Sequence, residues 1–157
     1  MAVEIERKFL VTSDEWRRDA RGQAFCQGYL ERSEGVTVRI RKAGEKAYVT
    51  IKGASKGAAR PEFEYEIPLG DAEAMLRGLC SKPLIEKVRH EVTYGGRTWQ
   101  VDEFAAENAG LVVAEVELSD PGETVELPPW VGDEVTEDMR YRNSELGASP
   151  RPRRSEP

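Results

Sequence analysis

Apolar and polar residues alternate with period two along most of this chain, and this pattern limits the possible folds more than any other feature. Successive strand residues point to opposite faces of a sheet, so the alternation predicts strands with two unlike faces. The pattern covers residues 2–11, 24–32, 35–42, 46–52, 61–68, 84–94, 97–104 and 111–118. Turn residues such as Tyr94-Gly95-Gly96 separate the segments. Eight short strands with close connections favour an antiparallel barrel or sandwich over alternating strand and helix units.

Helical patterns are few and short. Acidic residues in Ser13-Asp14-Glu15 favour a short helix over 16–20, because they suit the start of a helix. A second pattern begins at Asp71 and places apolar residues at near-helical spacing as far as Cys80. A third helix is predicted over 136–146, with Gly147 as its stop. The fold class expected is therefore mainly β, an α+β chain with a few helices beside the sheet.

Length and charge indicate one soluble domain. The 157 residues suffice for a single core, predicted over 1–147, while 148–157 combine Pro, Arg and Ser without periodicity and read as a disordered C-terminal tail. A net charge of −6 argues against nucleic acid or an anionic membrane as partner, and no apolar run approaches a membrane span. We therefore expect a cytoplasmic protein. Cys26 and Cys80 lack any motif spacing and are interpreted as free or buried thiols.

The polar faces carry recurrent pairs of like charge. Acidic pairs alternate along three strands, at Glu4 and Glu6, Glu62 and Glu64, and Glu115 and Glu117. Basic residues hold matching positions, at Lys8 on the first of these strands and on other strands at Arg39, Arg41, Lys52, Lys87 and Arg89. Any one such strand equally fits an ordinary solvated face. Taken together they favour an inward face, because a closed sheet would then hold acids and bases in nearly equal numbers.

The two kinds of pair point to complementary ligands. Glu-x-Glu on a strand places two carboxylates about 7 Å apart on one face, close enough to share Mg²⁺ or Mn²⁺ with bridging waters. Arg-x-Arg and Lys-x-Arg present donors to phosphate oxygens, which a guanidinium can bind with two hydrogen bonds. Acids and bases on one face therefore predict a site for a metal-bound polyphosphate.

An ordered set of motifs then resembles the CYTH, or triphosphate tunnel metalloenzyme, superfamily. The set begins with Glu4-x-Glu6-x-Lys8 at the N-terminus. It continues through Val38-Arg39-Ile40-Arg41, Ile51-Lys52-Gly53, Glu62-Phe63-Glu64-Tyr65-Glu66-Ile67-Pro68, Lys87-Val88-Arg89, Trp99-x-Val101-Asp102-Glu103-Phe104, Ala114-Glu115-Val116-Glu117-Leu118 and Arg140-Tyr141-x-Asn143. The resemblance spans about residues 1–147 and is closest to the bacterial inorganic triphosphatases.

The resemblance implies an eight-stranded antiparallel β-barrel tunnel that binds a small-molecule triphosphate together with one or two divalent metals. Hydrolysis of tripolyphosphate to pyrophosphate and phosphate is the first hypothesis. A class IV adenylyl cyclase, a thiamine triphosphatase and a non-catalytic polyphosphate-binding module stay open as alternatives. Monomer and homodimer are equally compatible with the sequence.

Roles follow as a hypothesis on that resemblance. Mg²⁺ or Mn²⁺ would be held by Glu4, Glu6, Glu62, Glu64, Glu115 and Glu117. The triphosphate would be held by Lys8, Arg39, Arg41, Lys52, Lys87, Arg89 and, from the C-terminal helix, Arg140. Lys8, Glu4 and Glu6 would lie nearest the reaction, which is expected to use metal-activated water because no Ser, Cys or His constellation is present.

Several polar and aromatic residues are given structural roles. His90, the only histidine, is out of phase with Lys87 and Arg89 and is expected to pack outside the site. Arg7 has the opposite phase to its charged neighbours and is expected on the surface. Glu66 and Asp102 are in phase but could equally pair with bases. The three tryptophans, Trp16, Trp99 and Trp130, are interpreted as packing residues.

Overall fold

Nine strands dominate the computed structural model, which describes residues 3–33 and 35–148. The strands are β1 Val3–Val11, β2 Arg21–Arg32, β3 Val36–Ala43, β4 Lys46–Gly53, β5 Ala59–Ile67, β6 Ile85–Tyr94, β7 Arg97–Phe104, β8 Val112–Glu117 and β9 Val131–Glu134. Two α-helices, α1 Leu69–Gly78 and α2 Asn143–Ala148, and 3₁₀ helices at Glu15–Asp19, Ala106–Asn108 and Met139–Tyr141 complete the described chain. None of the described helices has the length and apolar character that a membrane crossing requires.

The first eight strands close into an antiparallel barrel, which confirms the predicted fold. Hydrogen-bonded neighbours follow the order β5-β4-β3-β2-β6-β7-β8-β1, and β1 also pairs with β5. On one edge β1 pairs with β8 from Glu6 to Leu10. Its other edge is shared, because β5 pairs with Val3–Ile5 and β9 pairs near Phe9 and Val11. The ninth strand therefore extends the wall beside the closing seam.

Tight turns between the strands allow this closure. The β6–β7 connection consists of Gly95 and Gly96, with φ angles of +60° and +76°. A two-residue hairpin turn of type I′ needs positive φ at both positions, which glycine adopts without steric cost. The hairpin predicted from Tyr94-Gly95-Gly96 is therefore confirmed.

The main apolar core lies against the outer face of β1, β7 and β8. Phe9 and Trp99 pack there in a tilted arrangement with ring centroids 5.7 Å apart, and Trp99 and Trp130 pack edge to face at 5.8 Å. Trp16 joins the same cluster from the 3₁₀ helix Glu15–Asp19, and its ring lies 4.8 Å from that of His90. The packing roles predicted for the tryptophans and for His90 are confirmed.

A second apolar cluster fills one end of the barrel. It consists of Tyr29, Ile85, Phe104, Leu111, Val113 and Leu146. Its β6, β7 and β8 members share the phase of Lys87, Asp102 and Glu115, so they point into the barrel. Leu146 of α2 is fully buried among them. The C-terminal helix therefore closes this end of the lumen.

The predicted helix over 136–146 is wrong in both extent and form. After β9, the chain instead forms the 3₁₀ helix Met139–Tyr141 and then α2, which continues past the expected stop at Gly147. The Asp138 side chain accepts a hydrogen bond from the Arg140 backbone N–H, and Arg142 is extended with ψ of 142°, so the helical pattern is interrupted. Of the predicted tail, residues 149–157 lie outside the described residues.

Candidate active site

The charged faces of the strands turn inward and line a cavity of about 940 Å³. It brings together most of the residues predicted from the sequence, namely Glu4, Glu6, Lys8, Arg39, Arg41, Lys52, Glu62, Glu64, Arg89, Glu115 and Glu117. The apolar faces of the same strands pack in the outer core, so the charged faces point into the lumen once the sheet closes. Two predicted residues, Lys87 and Arg140, are not among the residues that line the cavity.

Opposite charges face each other across neighbouring strands. Lys8 of β1 is the register partner of Glu115 on β8, and Lys52 of β4 is the partner of Glu62 on β5. Their ion pairs measure 3.4 Å from Lys8 Nζ to Glu115 Oε2 and 3.5 Å from Lys52 Nζ to Glu62 Oε2. Such pairing is what makes a densely charged interior tolerable, because a buried charge without a partner is costly.

Glu6 is the exception to this pairing. It faces Glu117 directly across the β1–β8 ladder, where like charges are unfavourable. Burial, reinforced by the charges of Glu115 and Glu4, raises the pKa of Glu6 to about 8. A divalent cation among these carboxylates would neutralise their repulsion, and oxygen donors are the ligands that Mg²⁺ and Mn²⁺ prefer. The donor set therefore fits the metal expected from the sequence.

The acids are not yet gathered as metal ligands. Within residues 3–33 and 35–148, no three acidic, histidine or cysteine side chains converge on one point. Both oxygens of Glu4 accept hydrogen bonds from Lys52 Nζ at 2.9 Å, and Glu64 Oε2 accepts one from Thr50 Oγ1 at 2.7 Å. A cation that uses the Glu4 carboxylate would therefore compete with Lys52 for its oxygens.

Charge also governs the protonation of Glu115. Burial alone would raise the pKa of this carboxyl, but the charges of Lys8 and Arg89 lower it to about 2. Glu115 is therefore an anion at neutral pH, with one oxygen 3.4 Å from Lys8 Nζ and the other 3.2 Å from Arg89 Nη2. It therefore forms ion pairs with bases on two different strands, Lys8 on β1 and Arg89 on β6.

Lys87 points into the barrel but is fully buried and does not line the cavity, contrary to the prediction that it contacts phosphate. Its side chain is 0% exposed, and Nζ donates at 2.8 Å to Asp102 Oδ2 and at 2.8 Å to Asn143 Oδ1. Asp102 also accepts two hydrogen bonds from Arg89, at 2.7 and 2.8 Å. Burial opposes ionisation of Asp102, yet these two cations hold its pKa well below the usual range. Asp102 therefore pairs with bases, one of the two roles left open for it.

Arg140 lies outside the cavity, and the prediction that it binds phosphate is corrected. Its side chain is 62% exposed and forms two hydrogen bonds to Asp138, at 3.0 and 2.7 Å. The 3₁₀ helix that replaces the expected α-helix turns Arg142 inward instead, where it lines the cavity. Because the interruption is set by local capping at Asp138, no sequence period indicated Arg142.

Arg60 is a second cavity residue that the sequence reasoning missed. It lies on β5 two residues before Glu62, so it has the inward phase, and it faces Glu4 across the β1–β5 seam. The inward phase of Arg60 could therefore have identified it as a cavity residue from the sequence. The predicted strand began only at residue 61, because the small-residue stretch before it reads as a loop.

Three of the arginines that line the cavity form no ion pair among the described residues: Arg41, Arg60 and Arg142. Their hydrogen bonds go instead to Gln27 Oε1 at 3.0 Å, the Gly53 carbonyl at 3.1 Å and Ser55 Oγ at 2.6 Å. Burial, with the charges of Arg39 and Arg89, lowers the pKa of Arg41 to about 9. Burial and then the charge of Arg142 lower the pKa of Arg60. An anion in the cavity would relieve this repulsion.

Comparisons with known proteins agree with this architecture. The family model described as the CYTH domain matches residues 2–150. An inorganic triphosphatase of Acetivibrio thermocellus is 47% identical over 150 residues, which cover 96% of each chain. An inorganic triphosphatase of Nitrosomonas europaea is 34% identical over 151 residues, covering 94% of this chain and 98% of the relative.

A solved structure extends the similarity to three dimensions. The crystal structure of the inorganic triphosphatase NE1496 superposes with a TM-score of 0.69 at 33% sequence identity. The match covers 95% of this chain and 97% of that one. The similarity therefore covers nearly the whole barrel rather than one motif within it.

Proposed function

This chain belongs to the CYTH domain family, and on that premise we propose that it hydrolyses inorganic tripolyphosphate to pyrophosphate and phosphate inside the barrel, with Mg²⁺ or Mn²⁺. Two curated relatives that it resembles along nearly their whole length carry the name inorganic triphosphatase. The proposal extends that activity to this chain.

One observation supports the proposal most strongly. A single lumen contains both an acidic cluster that repels itself and arginines that have no acidic partner. The cluster centres on Glu6, and the arginines are Arg41, Arg60 and Arg142. A phosphate chain carrying a divalent cation supplies both missing partners at once, whereas a free anion or a free cation supplies only one.

The acids are assigned to the metal. Glu4, Glu6, Glu115 and Glu117 would hold it on the β1 and β8 side, together with Glu62 and Glu64 from β5. A divalent cation held there supplies a bound water of lowered pKa and neutralises charge on the reacting phosphate. The carboxylates of this chain orient it by presenting several oxygens from two adjacent strands.

The bases are assigned to the phosphates. Arg39, Arg41, Lys52 and Arg89 line the lumen, and Arg60 and Arg142 replace Arg140 at the end near α2. Lys8 extends from the same strand face as Glu4 and Glu6, and its Nζ lies between Glu115 and the Tyr141 carbonyl, 3.2 Å away. That location suits a residue that holds the terminal phosphoryl group beside the metal-binding acids.

The existing ion pairs would be exchanged on binding. Lys52 releases Glu4 and Arg39 releases Glu64, so that acids bind the cation and bases bind phosphate oxygens. The number of ion pairs is then nearly conserved, which limits the desolvation cost of loading the lumen. Cation and triphosphate should therefore favour each other's binding.

The proposed function is tested by incubating purified protein with Mg²⁺ or Mn²⁺ and, separately, tripolyphosphate, ATP and thiamine triphosphate, with identification of every product. Pyrophosphate and phosphate from tripolyphosphate, formed only with metal, is the expected result. Cyclic AMP from ATP would replace the proposal with a cyclase. Faster cleavage of thiamine triphosphate would replace the substrate, and binding without turnover would leave a polyphosphate-binding module.

A further inference from the structure

Phe25 is an aromatic residue inside a lumen that is otherwise lined largely by charged and polar side chains. It lies on β2, lines the cavity and is half-buried. Its register partners are Ala43 on β3 and Lys87 on β6. The ring therefore lies between the two strands that supply Arg41 and Arg89.

Three cations surround this single ring. The Arg41 Cζ atom lies 4.7 Å from the ring centroid, Arg89 Cζ lies 5.2 Å away and Lys87 Nζ lies 6.0 Å away. These distances fall within the range of cation–π attraction, which is strongest where both partners are shielded from water. Arg41 and Arg89 repel each other, so a shared electron-rich surface favours their approach in a way that an aliphatic side chain would not.

The two arginines differ in their other restraints. Arg89 is held by Asp102 through two hydrogen bonds and by Glu115. Arg41 has no acidic partner among the described residues, and its remaining hydrogen bond goes to the neutral oxygen of Gln27. Arg41 therefore depends on Phe25 more than Arg89 does.

We propose that Phe25 is a positioning residue, which holds the Arg41 and Arg89 guanidinium groups together at the lumen so that they bind the phosphate chain as a unit. This inference rests on the proposed function, because it assigns the two arginines to the tripolyphosphate. Phe25 itself would not touch the reacting atoms, and its contribution is to substrate affinity.

The test compares Phe25→Leu, which keeps an apolar side chain without a π face, with Phe25→Tyr, which keeps the ring. Phe25→Leu should raise KM for tripolyphosphate by about tenfold while kcat stays within about twofold. Phe25→Tyr should stay close to the unsubstituted protein in both constants. Thermal melting checks that each variant folds, and Phe25→Met replaces the leucine variant if that one does not.

A coupling measurement separates positioning from general packing. In an Arg41→Ala background, Phe25→Leu should change KM by less than about twofold, because its main partner is gone. The inference is overturned if Phe25→Leu leaves KM unchanged, if it lowers kcat instead, if Phe25→Tyr is equally damaging, or if the double variant shows simple additivity.

Calorimetric titration with tripolyphosphate keeps this inference distinct from the proposed function. If the unsubstituted protein does not hydrolyse tripolyphosphate, the proposed function fails, while weaker binding by Phe25→Leu than by Phe25→Tyr still supports the inference. If hydrolysis occurs and the two variants bind equally, the inference alone fails. If the unsubstituted protein neither binds nor hydrolyses tripolyphosphate, both fail.

Discussion

Asp102 holds two cations with one carboxylate inside the barrel. Replacing it with Asn keeps the side-chain shape but leaves Lys87 and Arg89 without their shared negative charge. Removing one partner of a buried ion pair costs about 3 kcal/mol, so Asp102→Asn should lower the free energy of unfolding by about that amount. Denaturant unfolding at neutral pH measures it.

The matched control for that variant is Glu66→Gln. Glu66 is an exposed acid on β5 for which no ion pair is found in the described part of the chain. Its substitution should change the free energy of unfolding by less than about 0.5 kcal/mol. Equal stability of Asp102→Asn and the unsubstituted protein would contradict the account of this ion-pair cluster.

Arg142 and Arg140 lie two residues apart and provide a built-in comparison. Arg142→Ala removes a cavity charge and should raise KM for tripolyphosphate by about tenfold or more, since hydrogen bonds to charged groups are the stronger ones. Arg140→Ala removes an exposed arginine that is paired with Asp138 and should leave KM unchanged. Steady-state kinetics of both variants test this. A larger rise in KM for Arg140→Ala than for Arg142→Ala would instead support the prediction from sequence that Arg140 binds phosphate.

For single residues, the sequence predicts which side chains of a strand face inward wherever the alternation is regular. Glu4, Glu6 and Lys8 share one phase, and the structure directs all three into the cavity. The strand phase shows which face of the sheet a side chain lies on, but not whether it reaches the cavity. It therefore did not distinguish Arg89, which lines the lumen, from Lys87, which is fully buried. Arg142 is an extended residue between a 3₁₀ helix and α2, so neither the strand period nor the period of the predicted α-helix gives its direction.

At the scale of elements, β9 is held against β1 by an ion pair on the outside of the barrel. Arg7 donates to both oxygens of Glu134, at 3.0 and 2.7 Å, and these hydrogen bonds lower the pKa of Glu134. A lowered carboxyl pKa contributes stability above the ordinary pKa of the group, and that stability is lost as the pH falls through the lowered value.

The expected effect of breaking this pair is small and depends on pH. Both side chains are partly exposed, so Arg7→Gln should cost only about 0.5 kcal/mol at neutral pH. The difference should disappear in acid, once Glu134 is protonated. Unfolding free energies at the two pH values test this, with the exposed Arg18→Gln as control, and a difference that persists in acid would contradict the assignment.

The strands were predictable as elements, and the C-terminal region was not. Regular alternation made β1 to β8 evident within a few residues at their ends, while β9 has only four residues, with two acids after a glycine, and offers too short a pattern. The expected helix over 136–146 failed because its composition suits a helix, whereas capping by Asp138 and the extended Arg142 divide it.

At the scale of the whole molecule, closure creates the site. The barrel closes where β1 meets β5 through three residue pairs, from Val3 opposite Pro61 to Ile5 opposite Ala59. These partners are far apart in the chain, and nothing in either segment alone specifies the pairing. The balance of acids and bases on one face predicted an inward lumen, but only the closed sheet brings Glu4 beside Arg60.

Loading of the lumen should show competition between acids and phosphate for the same bases. In metal-free solution, Glu4→Gln should bind tripolyphosphate more tightly than the unsubstituted protein, by on the order of tenfold, because Lys52 loses the nearer of its two ionic partners and keeps only Glu62. Calorimetric titration measures both affinities. Weaker binding by the variant would show that the Lys52–Glu4 pair does not compete with substrate.

The central claim is that the charged lumen hydrolyses tripolyphosphate with a bound divalent metal. The most direct test is the rate of phosphate release from tripolyphosphate, measured across a range of Mg²⁺ concentrations for the unsubstituted protein, Glu6→Gln and Arg39→Ala. We expect no release without metal, a loss of kcat in Glu6→Gln that added metal does not restore, and a raised KM in Arg39→Ala, with both variants folded. Metal-independent release, or unchanged rates in both variants, would contradict it.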